Sequence, residues 1–301
     1  MSLNISFLVK PHAKLVERVI LKKRYRCSSP QLFMMGLPRS GTTLIYQYIV
    51  HRLNVAYFTH GVGSYPDAPC LTTYIQHKAY GRYQSTFKSN YGKESGAVAP
   101  REAGELWCRF FDLDGYVEAD NLTKKDTLLL QNTIACVQNT FGGAAFINKN
   151  VKHLLRIEAL QKTFPNGRFL IIDRDINDVA ISILRGRYNN LPDVTQWWSV
   201  RPPDYNKLKE LPVVEQIANQ CLSLKHKMET DLLKIPPEKI IRICYEDFCS
   251  NPEELIRKIK HFLNVTETNN PVQQCFKASH ANSQNKEEND LITLVGKLNN
   301  E

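Results

Sequence analysis

Between residues 36 and 43 the chain reads Gly36-Leu37-Pro38-Arg39-Ser40-Gly41-Thr42-Thr43. The two glycines have the GxxxxG spacing of a phosphate-binding loop. They let the backbone curl so that successive N–H groups converge on one anion. A helix starting at Thr42 would add its positive end, worth roughly half a charge. Thr42 and Thr43 bring hydroxyl donors, and Arg39 places a cation inside the loop itself. A loop that grips ATP carries lysine after its second glycine, followed by a hydroxyl on magnesium. Here that lysine position is Thr42. The arrangement suits one phosphate together with a group just beyond it.

Such a loop works only between a strand and a helix, and the flanking sequence supplies both. Leu32–Met35 is a short apolar run, and Leu44, Ile45, Tyr48 and Ile49 form one helical face. The alternation continues. Further strands are expected at Ala144–Ile147, Phe169–Ile172 and Ile240–Cys244, each apolar throughout as a strand covered on both faces should be. Leu154, Ile157, Leu160 and Phe164 keep helical spacing before the third strand. Ile176, Val179, Ala180, Ile183 and Leu184 keep it after. Asn251-Pro252-Glu253-Glu254 reads as a capped helix start. The pattern predicts an α/β fold of three layers, a parallel sheet with helices on both faces, like the P-loop nucleotide hydrolases. One domain of 1–301 is expected, with its core at about 30–265. Two stretches interrupt the alternation, 61–100 and 186–212. Loops of that length are commonly lids or binding walls.

Composition narrows the class. The 301 residues are 43% hydrophobic and 23% charged, ordinary values for a globular chain with a proper core. No apolar run approaches the ~18–20 residues that cross a membrane. Eight cysteines are scattered with no CxxC pair, which reads as reduced thiols in the cytoplasm. The net charge of +9 favours anionic ligands. The N-terminus, residues 1–28, has its charges after its apolar residues and no small-residue cleavage site, so no signal peptide is expected. A basic helix packed on the body is the expectation there, and peripheral contact with a membrane surface the alternative.

PRSGTT after a strand resembles the 5′-phosphosulfate loop of sulfotransferases, which use 3′-phosphoadenosine 5′-phosphosulfate and release adenosine 3′,5′-bisphosphate. The bacterial and protein-tyrosine branches are the most similar. Phe169-Leu-Ile-Ile-Asp-Arg174 running into a helix with Ser182 is similar to the family's second anchor, which holds the 3′-phosphate. Ser182 lies eight residues after Arg174, about two helical turns. Arginine can donate two parallel bonds to a phosphate. Without the resemblance, Arg174 reads as an ion pair with Asp175 or Asp178. The family's proline at position 176 is isoleucine here. Asn148-Lys149 at a strand end and Tyr245-Glu246-Asp247 before a helix resemble two further family segments. The likeness covers roughly residues 30–265. It implies nucleotide contacts from Pro38, Arg39, Ser40, Gly41, Thr42, Thr43, Arg174, Ser182 and Tyr245. Within 266–301, Ser283 and Lys286 lie where relatives close over the nucleotide.

Sulfuryl transfer needs in-line positioning, charge stabilisation on the leaving side and a base for the acceptor's proton. A sulfuryl group carries less charge than a phosphoryl group, so cationic side chains and loop N–H groups suffice without a metal. The resemblance implies Arg39 and Lys149 for the leaving side. Two positions compete for the base. His60, twenty-one residues after Arg39, ends the strand-like run Asn54–His60, where protein-tyrosine sulfotransferases carry a glutamate. Glu102 sits in Ala99-Pro-Arg-Glu102, similar to a Pro-His-Glu segment of bacterial relatives with Arg101 replacing the histidine. The acceptor is expected to be a carbohydrate or glycolipid hydroxyl. Trp197, Trp198, Tyr188, Tyr205, Arg201 and the Tyr-rich 74–91 stretch are candidate walls, though such aromatics also pack cores. A P-loop kinase using ATP is the enzymatic alternative, weakened by the missing lysine. A nucleic-acid binder has only the net charge in its favour, with no accompanying motif.

Overall fold

The computed structural model describes residues 5–87, 96–111 and 115–300, with side chains from residue 10 onward in the first helix. In chain order the elements begin α1 (Ile5–Lys22), β1 (Gln31–Gly36), α2 (Thr42–Arg52), α3 (Pro69–Tyr80), α4 (Gly104–Trp107) and α5 (Lys124–Thr140). They continue β2 (Phe146–Lys149), α6 (Ile157–Thr163), β3 (Arg168–Asp173), α7 (Ile176–Asn190), α8 (Tyr205–Leu208) and α9 (Val213–Leu232). The last are β4 (Ile240–Cys244), α10 (Tyr245–Ser250), α11 (Pro252–Leu263) and α12 (Lys286–Asn299).

The four strands form one parallel sheet in the order β2-β1-β3-β4, flanked by helices. Register puts Met34 opposite Lys149 and Gly36 opposite Ile172, so β1, β2 and β3 end along one edge. That edge, at the carboxyl ends of the strands, is where open parallel sheets bind ligands. A Cβ on Gly36 would lie 2.5 Å from the Ile172 carbonyl oxygen, so only glycine lets β1 leave the sheet there. On α7 the predicted stripe is buried from Val179 to Leu184, while Ile176 stays half-buried at the helix start.

Five expectations change. The second strand lies two residues later than its apolar run, at Phe146–Lys149, which draws Lys149 into the sheet. The run Asn54–His60 is not a strand. Only Ala56 pairs with β2, through N–H to the Ala145 carbonyl and a return bond from Ile147, because its neighbours turn aside to Thr266 and Pro100. The stretch 61–100 is not wholly irregular: it contains α3, packed on α1 and α5. Residues 88–91 of the Tyr-rich stretch lie outside the described residues. β4 is half-buried rather than covered, since as an edge strand it exposes Arg242, which pairs with Asp173 and Glu229. At Asn251 no side-chain cap forms, because that residue also closes α10.

Candidate active site

The loop after β1 is shaped by two residues in left-handed conformations, Arg39 (φ 71°) and Gly41 (φ 76°). An arginine there is uncommon and costs about 1–3 kcal/mol. Gly41 is required twice over: a Cβ would strain its φ and lie 2.3 Å from the Tyr245 ring. The same glycine stands at the N-cap of α2 and offers no side-chain cap, so the first N–H groups of that helix stay open towards the loop. The Ser40 hydroxyl is buried without a hydrogen-bond partner among the described residues. Uncapped donors and an orphaned hydroxyl suit an anion seated in the turn.

The second cationic residue reaches the same loop. Arg174 Nη1 donates to the Arg39 carbonyl at 2.7 Å, and Nη2 donates to the carbonyl of Ser279. Its guanidinium lies 4.6 Å from the centre of the Tyr245 ring, a cation–π contact. Burial, followed by a bond with the Cys249 thiol, pushes the Tyr245 hydroxyl up to about 12. The ion pair expected with Asp178 forms too, at 3.7 Å, whereas Asp175 caps α7 instead. Arg174 Nε has no hydrogen-bond partner among the described residues. Ser182 Oγ accepts from Arg39 Nε at 3.0 Å, tying α7 to the loop. Asp178, Glu246 and His280 bring their ligating atoms within 4.8 Å of one another, with Asp178 already paired to His280 at 3.3 Å.

At the end of β2, Lys149 Nζ donates to Thr43 Oγ1 at 2.9 Å and pairs with the Glu102 carboxylate. The lysine side chain is 2% exposed and the glutamate 35%, so Glu102 is the partner that meets the opening. A cavity of about 340 Å³ collects these groups: Arg39, Thr43, Glu102, Lys149, Arg174 and Trp198 all line it. Pro38, Gly41, Thr42 and Tyr245 line it as well.

The sequence profile described as the sulfotransferase family matches residues 30–269. The chain belongs to the sulfotransferase family. Among curated proteins none matches significantly. Two solved structures share the fold at low identity. The sulfotransferase STF1 of Mycobacterium tuberculosis H37Rv superposes with a TM-score of 0.53 at 13% identity, covering 93% of this chain and 77% of that one. The sulfotransferase STF9 of Mycobacterium avium gives 0.52 at 16% identity, covering 96% and 72%.

Not every residue picked from this sulfotransferase's sequence reaches the cavity. His60 opens a single tight turn, His60–Gly63, and is not among the lining residues. Burial first, then the nearby Arg101 charge, lowers its pKa. Ser283 donates to the Asn285 carbonyl and Lys286 is the exposed first residue of α12. Neither lines the cavity, which Ser279 reaches instead, while Asn285 caps α12. Of the candidate acceptor walls, Trp198 lines the cavity, its ring seated on Gly186, where a Cβ would approach to 2.2 Å. Trp197, Tyr205 and Arg201 pack on one another, and Tyr188 bonds Glu287 of α12.

Asn148 is a residue to which the sequence reading gave no role of its own. Fully buried, it accepts at Oδ1 from Trp107 Nε1 and His153 Nε2, both at 2.9 Å. It donates through Nδ2 to the carbonyls of Arg101 (3.1 Å) and Glu102 (3.4 Å). The indole can only donate, which fixes the amide orientation and puts the His153 proton on Nε2. Burial holds His153 neutral. Asn148 thus ties the Glu102 backbone to the strand that carries Lys149. Asn148→Ala leaves two buried N–H groups unpaired. We expect it to cost roughly 2–4 kcal/mol, read as a lower urea midpoint at unchanged slope.

Proposed function

We propose that this sulfotransferase moves a sulfuryl group from 3′-phosphoadenosine 5′-phosphosulfate to a hydroxyl on a carbohydrate or glycolipid. The observation that carries this is one cavity in which the glycine turn, Arg174 and the Lys149–Glu102 pair all meet. The turn, with Ser40, Thr42, Thr43 and the open end of α2, takes the 5′-phosphate. Arg174 takes the 3′-phosphate, with Ser182 holding Arg39 in place and Tyr245 as the adjacent flat wall. The segment around Ser279, already bonded to Arg174, closes on the nucleotide.

In the transfer, the acceptor oxygen forms a bond to sulfur as the bridge between sulfur and the 5′-phosphate oxygen breaks. Arg39 and Lys149 stabilise the negative charge that gathers on the leaving phosphate. Glu102 takes the acceptor proton, since it is the candidate base that lines the cavity. The charge on sulfur is low enough that these side chains act without a metal step. The partner is a glycan or glycolipid acceptor and not nucleic acid. The protein is cytoplasmic, peripheral to a membrane where the acceptor is a lipid. Among the described residues no helix is long and apolar enough to cross one. A kinase reading would need a cation at Thr42, where the site offers a buried hydroxyl.

A thermal-shift comparison separates donor classes. Adenosine 3′,5′-bisphosphate is expected to raise the melting temperature, and ATP with magnesium to raise it far less. At a ligand concentration of about a hundred times Kd the stabilisation would be about 2.7 kcal/mol. A magnesium-dependent shift with ATP and none with the bisphosphate would overturn the proposal. A screen of hydroxyl acceptors with labelled donor then identifies the product.

A further inference from the structure

Helix α1 presents an apolar strip framed by like charge, and nothing in the sulfotransfer chemistry uses it. Residues 5–26 contain Lys10, Lys14, Arg18, Lys22, Lys23, Arg24 and Arg26 against a single acid, Glu17. That acid is turned inward. It is 3% exposed, and its two oxygens accept from the N–H groups of Cys70 (3.0 Å) and Leu71 (2.9 Å) at the start of α3. Two residues from Glu17 on either side is about half a helical turn, so Leu15 and Val19 face directly away from the body. They are 59% and 60% exposed, and Val16 beside them 44%. Lys10, Lys14, Arg18 and Lys22 recur every four residues and form an exposed row along one margin of this strip. Among the described residues, only Lys14 of that row pairs with an acid, Asp67 at 3.2 Å.

We propose that this face of α1 docks on an anionic lipid surface, Leu15, Val16 and Val19 entering the headgroup boundary while the basic row meets lipid phosphates. Charge complementarity selects this occupant. An interfacial helix carries an apolar strip in a basic face and lies in the membrane plane, and each exposed basic residue near such a surface adds attraction. A second copy is disfavoured. Three aliphatic side chains are far less than the ~1,000 Å² a stable interface needs, and a two-fold contact would set two basic rows against each other. A nucleic-acid backbone would use the charges and leave the aliphatic strip in water. The inference deepens the reading of a glycolipid acceptor and rests on it only for that consequence: docking brings the cavity to lipid-borne hydroxyls.

Flotation of the full chain with phosphatidylcholine vesicles, with and without phosphatidylglycerol, tests it. The protein is expected to float with the anionic vesicles and to stay down with the neutral ones. Leu15→Ser with Val19→Ser should weaken that binding about tenfold, and Arg18→Glu with Lys22→Glu should abolish it. All four positions are exposed, so the doubly substituted chains should fold, and their affinity for adenosine 3′,5′-bisphosphate should match the parent's. Absence of flotation overturns the docking. So does vesicle binding that ignores Leu15→Ser/Val19→Ser, which would mark plain electrostatic adsorption of the kind a nucleic acid shares. Light scattering that shows a dimer converted to monomer by that pair would assign the face to a second copy. Flotation by a protein that fails to bind the bisphosphate would leave the docking standing and remove the sulfotransfer reading.

Discussion

Arg174→Ala is expected to bind adenosine 3′,5′-bisphosphate about a hundredfold more weakly than the parent, measured by calorimetry. Loss of one charge-assisted bond to the phosphate, at ~1.5–3 kcal/mol, gives a range from about tenfold to about 150-fold. The structure pushes the expectation to the upper part of that range. Arg174 also donates to the Arg39 and Ser279 carbonyls, so its removal unties the glycine turn and the C-terminal segment together. The stacking on Tyr245 is lost as well. Arg174→Lys should fall between, because a lysine keeps the charge but cannot reach two carbonyls and a phosphate from one planar fork. An unchanged affinity in the alanine variant would remove the 3′-phosphate role, whatever the rest of the cavity does.

The sheet was legible because its strands are continuous apolar runs between helical periods, a pattern that few other arrangements produce. Where one such run failed, at Asn54–His60, the residues are as buried as a strand's. Their backbone bonds go elsewhere, to Thr266 and to Leu53, and no periodicity in the side chains reports that. The offset of β2 has a similar origin. Ala144 and Ala145 continue the apolar run, but the ladder with β1 is made by Phe146 to Lys149, two of them polar residues that burial alone would have excluded. Lys149 and Asn148 tolerate the interior because each finds partners there. The glycine turn could be picked out because its chemistry is local, a curled backbone between strand and helix; Arg174 stands out only through the family resemblance, since by itself it reads as an ion pair. Glu102 and His60 could not be ranked from sequence. Their difference is tertiary, set by the Asn148 bonds that bring residues 101–102 to β2 while His60 turns into its own short helix. The contact of Ser279 with Arg174 is tertiary in the same way, and nothing local in the sequence distinguishes Ser279 from Ser283 and Lys286.

Glu102→Gln keeps the size and the hydrogen-bonding reach of the side chain but cannot accept a proton from the acceptor hydroxyl. With any acceptor that the parent turns over, we expect kcat to fall by about a hundredfold to ten-thousandfold, while affinity for the bisphosphate stays within about threefold, near half a kcal/mol. His60→Ala, made at a side chain outside the cavity, should keep turnover within about the same threefold margin. The contrast is sharpened by Lys149. In the parent its ammonium is shared between Thr43 and Glu102. Neutralising Glu102 frees that charge for the leaving phosphate, so the glutamine variant should bind the bisphosphate no more weakly than the parent, and the fall in kcat has to come from the missing base. Near-full turnover in Glu102→Gln alongside a collapse in His60→Ala would transfer the role to the histidine. Near-full turnover in both would mean that the proton leaves by a group other than these two, and that the Lys149–Glu102 pair serves only to hold β2 against the loop.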